Sequence, residues 1–262
     1  MFNSVITSMN PLCPNTSHTL IESSVWPDDI KGTAGMTLWN DWHFIDSPYV
    51  YDGVVPIVNY SEAVSNSVYI VNQAKKVLAT NINKLTAERA LLARYLVHLA
   101  GDIHQPLHSV AFFNETYPKG DQGGNLLKIK LPGNTTLGNF HSYWDAGAYQ
   151  FQKETDKINR PLNEADTAAM LAKAQDFLDE FKGTEIEELG KEIKPEVWAL
   201  ESFRVAQNTT YPHMLTTTDA DPAYVTLTFE TCKKRVVLGG LRLFNLVMNI
   251  YSNSTQLSEE PV

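Results

Sequence analysis

The sequence predicts an all-α fold: a mainly helical single domain with one small hairpin and loop region. Apolar residues recur at helical spacing in most long segments, and a Gly-rich stretch interrupts this pattern only once. No repeat, low-complexity run or linker divides the 262 residues. The composition, 43% hydrophobic and 19% charged, is typical of a globular chain. We therefore expect residues 1–262 to fold as one domain around one large core.

The predicted helices are the segments in which apolar residues follow a period of 3.6. The strongest of them begins with Thr86, a residue type that caps helix N-termini, and Pro106 enforces its end after Gln105. The final segment is the longest and is expected to form a buried helix. The predicted helices are residues 61–78, 86–105, 164–182, 195–207 and 226–251.

The pattern changes between residues 114 and 140, where five glycines surround a short apolar run at residues 126–131. Glycine supplies the backbone conformations that tight turns require, and a short apolar run bounded by such turns is typical of a strand. This region is predicted to be a loop with one hairpin.

Charge and cysteine content limit the classes of function. A formal net charge of -9 argues against a broad basic face that grips duplex nucleic acid. It does not exclude phosphate binding through divalent cations, which bring their own positive charge. The two cysteines, Cys13 and Cys232, are too few for a thiolate zinc site. A disulfide between them is possible, but their separation cannot be obtained from the sequence.

The compartment is indicated by glycosylation acceptor sequences rather than by a leader. Six Asn-x-Ser/Thr sequons, against about three expected by chance, favour a secreted or lumenal, lysosome-like location. The first residues lack the charged and apolar regions of a signal peptide, so a secretion signal would lie outside this chain. No stretch reaches the roughly 20 apolar residues that span a bilayer. The sequons are at Asn15, Asn59, Asn114, Asn134, Asn208 and Asn253.

The histidines are clustered together with aspartates. His98 and Asp102 are four residues apart on a predicted helix, and therefore one turn apart on the same face. His141 and Asp145 repeat this spacing, and His43 precedes Asp46. Imidazole and carboxylate are the ligands that zinc accepts where thiolates are absent.

A purely structural explanation competes with metal binding. A single histidine on an apolar helix is more often a hydrogen-bonded core residue, and an isolated His-x3-Asp pair is more often a surface pair or cap. Gly101 and Asp102, however, weaken an apolar helix, because glycine costs about 1 kcal/mol and a buried carboxylate needs a partner. This clustering favours a metal site.

The segment His98-Leu-Ala-Gly-Asp102-Ile-His104-Gln-Pro-Leu-His108 resembles the signature of the trinuclear-zinc nucleases. That family includes fungal single-strand-specific nucleases and plant bifunctional nucleases, and it shares its fold with bacterial zinc phospholipase C. Other segments resemble the family in the same order along nearly the whole chain. They are residues 26–31, 42–46, 123–125, 141–145, 198–202 and 239–243.

The resemblance implies a set of zinc ligands. The first zinc would be held by Asp28, His43, His98 and Asp102, and the second by His108, His141 and Asp145. Asp102 would also bridge to a third zinc, which the family completes with an N-terminal Trp and a His. This sequence shows neither, so we expect two zinc ions at most and reduced activity. His104 is left to hydrogen bonding.

The resemblance also implies an activity, the hydrolysis of single-stranded DNA and RNA to 5′-phosphates and the removal of 3′-phosphates from nucleotides, by a monomer. Asp28 would orient the attacking water, and Lys31 would neutralise phosphate oxygens. Phe44 would stack on a base and Asp46 would bind its edge, with a plain core position as the less favoured alternative for Phe44. Ala146 departs from the polar residue often found there, which leaves substrate preference open.

Two other functions compete with the nuclease. One is a zinc phospholipase C on the same fold. The other is a zinc-binding or nucleic-acid-binding remnant without catalysis, because the N-terminal ligands are missing. The segment 42–46 favours the nuclease, since a base-stacking pocket has no use in the hydrolysis of a choline head group.

Overall fold

The computed structural model describes residues 19–34, 37–54, 65–80, 86–131, 137–151 and 160–256. The predicted fold class is confirmed, because the structure is mainly helical with two small sheets. The α-helices are α1 Trp26–Ala34, α2 Ser67–Ala79, α3 Ala87–Asp102, α4 Phe140–Asp145, α5 Glu164–Glu180, α6 Glu185–Leu189, α7 Pro195–Val205, α8 Tyr211–Met214 and α9 Pro222–Gln256. The strands are β1 Pro48–Val50, β2 Ala111–Phe113, β3 Lys128–Lys130 and β4 Leu137–Asn139. Short 3-10 helices form at Glu22–Ser24, Asn40–His43 and Pro106–Ser109.

Helix α3 is the centre of the larger hydrophobic core. Its N-terminus is capped by Thr86, whose hydroxyl accepts from the backbone N–H of Arg89 at 3.3 Å. Tyr95, Leu96 and Leu99 on this helix are fully buried. It packs against α1, α2 and α9, so that most of its faces are covered. The helix that carries His98 and Asp102 is therefore held from several sides.

A second core lies under the strands and the short helix α4. The rings of Phe112 and Tyr211 stack with centroids 4.6 Å apart, and Phe140 and Tyr143 are fully buried beside them. Offset stacking of aromatic rings adds to the stabilisation that their burial provides. This core supports α4, the helix that carries His141 and Asp145.

The strand pair β1–β2 is parallel, with Tyr49 opposite Phe112. It follows directly after the segments that contain His43 and His108, and the backbone N–H of Ile45 donates to the carbonyl of His108 at 2.8 Å. The pairing therefore brings two histidine segments side by side. The sequence did not predict these strands.

The predicted hairpin corresponds to β3 and β4, which pair antiparallel with Ile129 opposite Gly138. The connection at residues 132–136 lies outside the described residues. The predicted strand-like run at residues 126–131 is thus longer than the strand itself, Lys128–Lys130.

Several helix boundaries differ from the prediction. Helix α3 ends at Asp102 because the Gln105 side chain caps a new 3-10 helix, accepting from the backbone N–H of Leu107. Helix α2 begins only after Asn66, whose side chain caps it, and residues 61–64 lie outside the described part. Helix α7 is continued by a π-helix at Ala206–Thr210, and α9 is longer than predicted at both ends.

Two further expectations concern membranes and cysteines. Within the described ranges, no helix combines the length and the hydropathy that crossing a bilayer requires. Cys232 is buried, with its thiol 3.4 Å from the carbonyl oxygen of Trp144. Cys13 lies outside the described residues, so its pairing with Cys232 stays a prediction.

Candidate metal centre

Three segments bring Asp28, His43 and His98 together, and we call these residues the first group. Asp28 lies in α1, His43 ends a 3-10 helix, and His98 lies in α3. His98 Nε2 is 2.9 Å from His43 Nδ1 and 3.8 Å from Asp28 Oδ2. One ligand atom from each residue lies within 4.8 Å of the others.

His108, His141 and Asp145 form the second group. Asp145 Oδ1 is 3.6 Å from His108 Nε2, and Asp145 Oδ2 is 3.5 Å from His141 Nε2. The two imidazole rings stack with centroids 4.8 Å apart. The spacing of four residues between His141 and Asp145 places both on one face of α4.

Asp102 lies between the two groups. Its Oδ2 is 2.9 Å from His98 Nε2 and 3.1 Å from His43 Nδ1, both in the first group. Its Oδ1 is 3.7 Å from His108 Nδ1. The structure thus brings all seven predicted ligands into one centre, which opens onto a cavity of about 510 Å³.

Backbone carbonyls fix the orientation of three imidazoles. Nδ1 of His98 donates to the Ser24 carbonyl at 2.5 Å, and Nδ1 of His108 donates to the His43 carbonyl at 3.0 Å. Nδ1 of His141 donates to the Gly123 carbonyl at 2.7 Å. When these imidazoles are neutral, each has one N–H, so its Nε2 keeps a lone pair that faces the group. This arrangement is typical of metal-ligating histidines.

The residues present fit a metal ion. His98 Nε2 lies 2.9 Å from a carboxylate oxygen of Asp102, a contact that either a proton on the imidazole or a shared cation satisfies. Ligand atoms around a tetrahedral zinc are about 3.4 Å apart, given bond lengths of about 2.1 Å. The separations in both groups lie close to this value. His43 Nε2, on the far side of its ring, is buried without a hydrogen-bond partner among the described residues.

The electrostatics of the centre are dominated by burial and by Asp102. Burial opposes the charge on His108, but Asp102 and Asp145 outweigh it and raise the His108 pKa to about 9. Burial would raise the pKa of Asp102, but the neighbouring histidines hold it well below its usual range. Burial lowers the pKa values of His43 and His141, with Asp102 and Asp145 acting against it. The centre therefore keeps the Asp102 and Asp145 carboxylates ionised, since the pKa of Asp145 is also lowered, against its burial, by His108 and His141.

Of the other predicted site residues, Lys31 and Phe44 adjoin this centre through Asp28 and His43. Lys31 Nζ pairs with Asp28 Oδ1 at 2.6 Å, one turn along α1. Phe44 follows His43 in extended conformation and is half-buried, so it is not a full core residue. Asp46 is also half-buried, and burial together with Asp121 and Asp41 raises its pKa to about 6.

His104 lies outside both groups, in agreement with the hydrogen-bonding role predicted for it. It is buried, and its Nδ1 donates to the Ala100 carbonyl at 2.7 Å. Its Nε2 accepts from Arg242 Nη1 at 3.1 Å. Both nitrogens are therefore occupied within the protein.

Sequence reasoning missed several groups that hold the ligands. The Ser24 and His43 carbonyls could not be found, because a backbone oxygen has no residue-type signal. For Gly123 the residue type itself is a signal. Its φ is +57° and a Cβ there would lie 2.5 Å from the Leu107 carbonyl oxygen, so the position requires glycine. Asp121, which accepts from the Gly124 N–H at 2.8 Å, holds the same turn.

Comparison with known proteins identifies the family of the chain. The family model described as S1/P1 Nuclease matches residues 1–252. Endonuclease 4 of Arabidopsis thaliana is 26% identical over 238 residues, which cover 87% of this chain and 76% of that protein. Nuclease P1 of Penicillium citrinum is 24% identical over 266 residues, covering 91% of this chain and 87% of that protein. The chain belongs to the S1/P1 nuclease family, a family of hydrolases, as predicted from its motifs.

Proposed function

We propose that this chain is a zinc-dependent nuclease that hydrolyses single-stranded DNA and RNA to 5′-phosphates and also removes 3′-phosphates from nucleotides. Zinc would be held by the first group with Asp102, and by the second group. When bound, zinc supplies Lewis acidity and a nucleophile that is potent at neutral pH. The family assignment and the names of the relatives support the nuclease activity.

The observation that carries the proposal is the convergence of imidazole lone pairs and carboxylates at a solvent-accessible cavity. Nε2 of His98, His108 and His141 faces inward because each Nδ1 donates to a backbone carbonyl. Asp102 joins the two groups, with one oxygen toward each. Cations held in such a centre would stabilise the negative charge that develops on the phosphate oxygens during hydrolysis.

Asp28 and Lys31 are proposed to act on the attacking water and the phosphate. The Asp28 carboxylate is half-exposed toward the cavity and can accept a proton from a water molecule that it orients. The Lys31 ammonium, 2.6 Å from Asp28, can neutralise phosphate oxygens as negative charge develops. The chain therefore supplies a proton acceptor and a cation side by side.

Phe44 and Asp46 are proposed to bind one base of the substrate. Phe44 keeps part of its ring exposed next to His43, where an unstacked base could lie against it. The Asp46 carboxylate, two residues further, can accept from the amino or imino groups on the base edge. A base paired in a duplex cannot offer its face and edge together, which would give the preference for single strands.

We further propose that the protein is a secreted, glycosylated monomer of one domain. The sequons support this, and Asn208, which begins one of them, has an exposed side chain in the π-helix. Mass spectrometry of the protein from its native source, before and after glycosidase treatment, tests the modification, and sedimentation tests the monomer.

The activity is tested on single-stranded and duplex DNA, before and after removal of metal. The untreated protein should cleave the single strand, lose this activity in a strong chelator, and recover it with zinc. The His141→Ala variant should stay inactive at saturating zinc. His104→Gln serves as the matched control, because His104 lies outside both groups and should retain activity if folding is preserved.

Three results would reject the proposal. Cleavage that survives exhaustive chelation would exclude a metal-dependent mechanism. Zinc binding without any cleavage of nucleic acid would favour the catalytically impaired alternative. Hydrolysis of a phosphatidylcholine substrate in preference to DNA would favour the phospholipase.

A further inference from the structure

The side chain of Gln105 connects the two chain segments that supply the second group. Its Oε1 accepts from the Leu107 backbone N–H at 2.5 Å, and its Nε2 donates to Asp145 Oδ1 at 2.7 Å. The orientation of the amide is unambiguous, because a backbone N–H can only donate and so selects the oxygen end. The NH₂ end is thereby directed at Asp145.

Without Gln105, Asp145 would be held by fewer neighbours than Asp102, so the bond from Gln105 matters for its orientation. Its side chain is 45% exposed, whereas that of Asp102 is 13% exposed and contacts imidazoles of both groups. An exposed carboxylate loses rotamer freedom when it is held in one orientation. The bond from Gln105 fixes one Asp145 oxygen, and the other then faces His141 Nε2 at 3.5 Å.

We propose that Gln105 is a positioning residue that orients Asp145 and thereby sets the metal affinity of the second group alone. This inference rests on the proposed function, since it concerns the metal that the group would hold. The Gln105 side chain makes no hydrogen bond to Asp28, His43 or His98 among the described residues, and the bond from its backbone N–H to the Asp102 carbonyl, at 3.0 Å, does not involve the side chain. Its effect on the first group should therefore be small.

The test is zinc titration by chelator competition, with one group removed at a time. In a His98→Ala background the second group is titrated, and in a His141→Ala background the first. Gln105→Met keeps the length of the side chain and removes both hydrogen bonds. Loss of a hydrogen-bonding partner of a metal ligand typically lowers metal affinity about 10- to 100-fold, and we expect this loss at the second group only.

A double-mutant cycle distinguishes the effect of the capping bond to Leu107 from the effect of the bond to Asp145. If Gln105 acts through Asp145, adding Gln105→Met to Asp145→Ala should cause no further loss of zinc affinity at the second group. A role limited to capping the 3-10 helix would still reduce affinity in that background. The control is Gln175→Met, because Gln175 Nε2 donates to Asp179 Oδ1 at 3.0 Å on α5, away from the centre.

Each outcome decides the inference. Unchanged affinity of the second group in Gln105→Met, an equal loss at both groups, or an additional loss in the Asp145→Ala background would overturn it. Failure of the unsubstituted protein to bind zinc at either group would instead reject the proposed function, so the two failures are distinguishable.

Discussion

The turn at the end of α3 has two sides, a front, where Asp102 faces the histidines of the metal centre, and a back, which packs against α7 and α9. Both sides pair carboxylates with basic side chains, but with different consequences. On the front, Asp102 faces imidazole nitrogens of His98, His43 and His108. On the back, buried Arg242 makes a bidentate pair with Glu201, at 2.7 and 2.9 Å. The front can therefore take up a cation from solution, whereas the carboxylate on the back is paired with an arginine of the chain itself.

The back side also holds the backbone of the turn. Arg235 Nε donates to the His104 carbonyl at 3.0 Å, and the Ser202 hydroxyl donates to the Ile103 carbonyl. These groups come from α7 and α9, so the turn is fixed from behind by two helices. The backbone of the turn is thus held without an external ion, and a bound ion adds stability by mass action. The comparison predicts that changes on the front affect metal binding and activity, and that changes on the back affect the stability of the metal-free protein.

The largest effect is expected for Asp102→Asn, which removes the charge shared by the two groups while keeping the shape. Metal-centred charge stabilisation contributes several kcal/mol to the transition state, so kcat/KM should fall by about a thousand-fold or more. Zinc affinity should fall with it. Single-strand cleavage and zinc titration measure both. Full activity in this variant would show that the front does not depend on Asp102.

Removal of metal should have the next largest effect. Ligands that bind only the native state stabilise it by about 4 kcal/mol at a thousand times their Kd. For a chain of this size that corresponds to a loss of about 10 °C in Tm. Calorimetry with and without chelator measures it. Equal melting temperatures would mean that the front is stable without a cation.

Glu201→Gln is the matching carboxylate-to-amide change on the back. It leaves the fully buried Arg242 without a counter-charge, which should lower the free energy of unfolding by about 3 kcal/mol. Urea unfolding of the metal-free protein measures this loss, and zinc stoichiometry should stay unchanged. Loss of zinc with unchanged stability would reverse the comparison.

The smallest effect is a difference in pH dependence between His108 and His104. The His108 pKa is raised to about 9, so its contribution to the metal-free protein is complete below pH 6.5 and is lost as pH rises through 9. Burial, Arg235 and Arg242 hold the pKa of His104 well below its usual value, so this group costs stability as pH falls below 6.5. Each slope is limited to about 1.4 kcal/mol per pH unit.

Denaturant unfolding of the metal-free protein from pH 5 to 9 measures both slopes. His108→Gln should flatten the alkaline side of the profile, and His104→Gln the acid side. If both substitutions changed the same side, the assignment of opposite charge states to the two histidines would be wrong.

The sequence predicted the composition of the centre better than the means by which it is held. The spacing of His98 and Asp102 predicted that these two side chains lie on one helix face, because helix geometry carries that information. The other ligands were implied by the resemblance of the motifs to the family. The bonds from Nδ1 to the Ser24 and Gly123 carbonyls depend on tertiary structure alone. The three-residue strands β1 and β2 could not be predicted, because strands so short have no usable periodicity. The end of α3 at Asp102 depends on a cap from Gln105, a residue that equally suits a helix interior.

The first and second groups also differ in the length of chain that separates their ligands. The second group is contained in residues 108–145, whereas the first, with Asp102, spans residues 28–102 and depends on a bond between His98 and Ser24, 74 positions apart. Long loops close more slowly and at a greater entropic cost than short ones. We therefore expect the second group to assemble earlier during folding and to bind zinc first. The first group would follow once α1 has docked against α3.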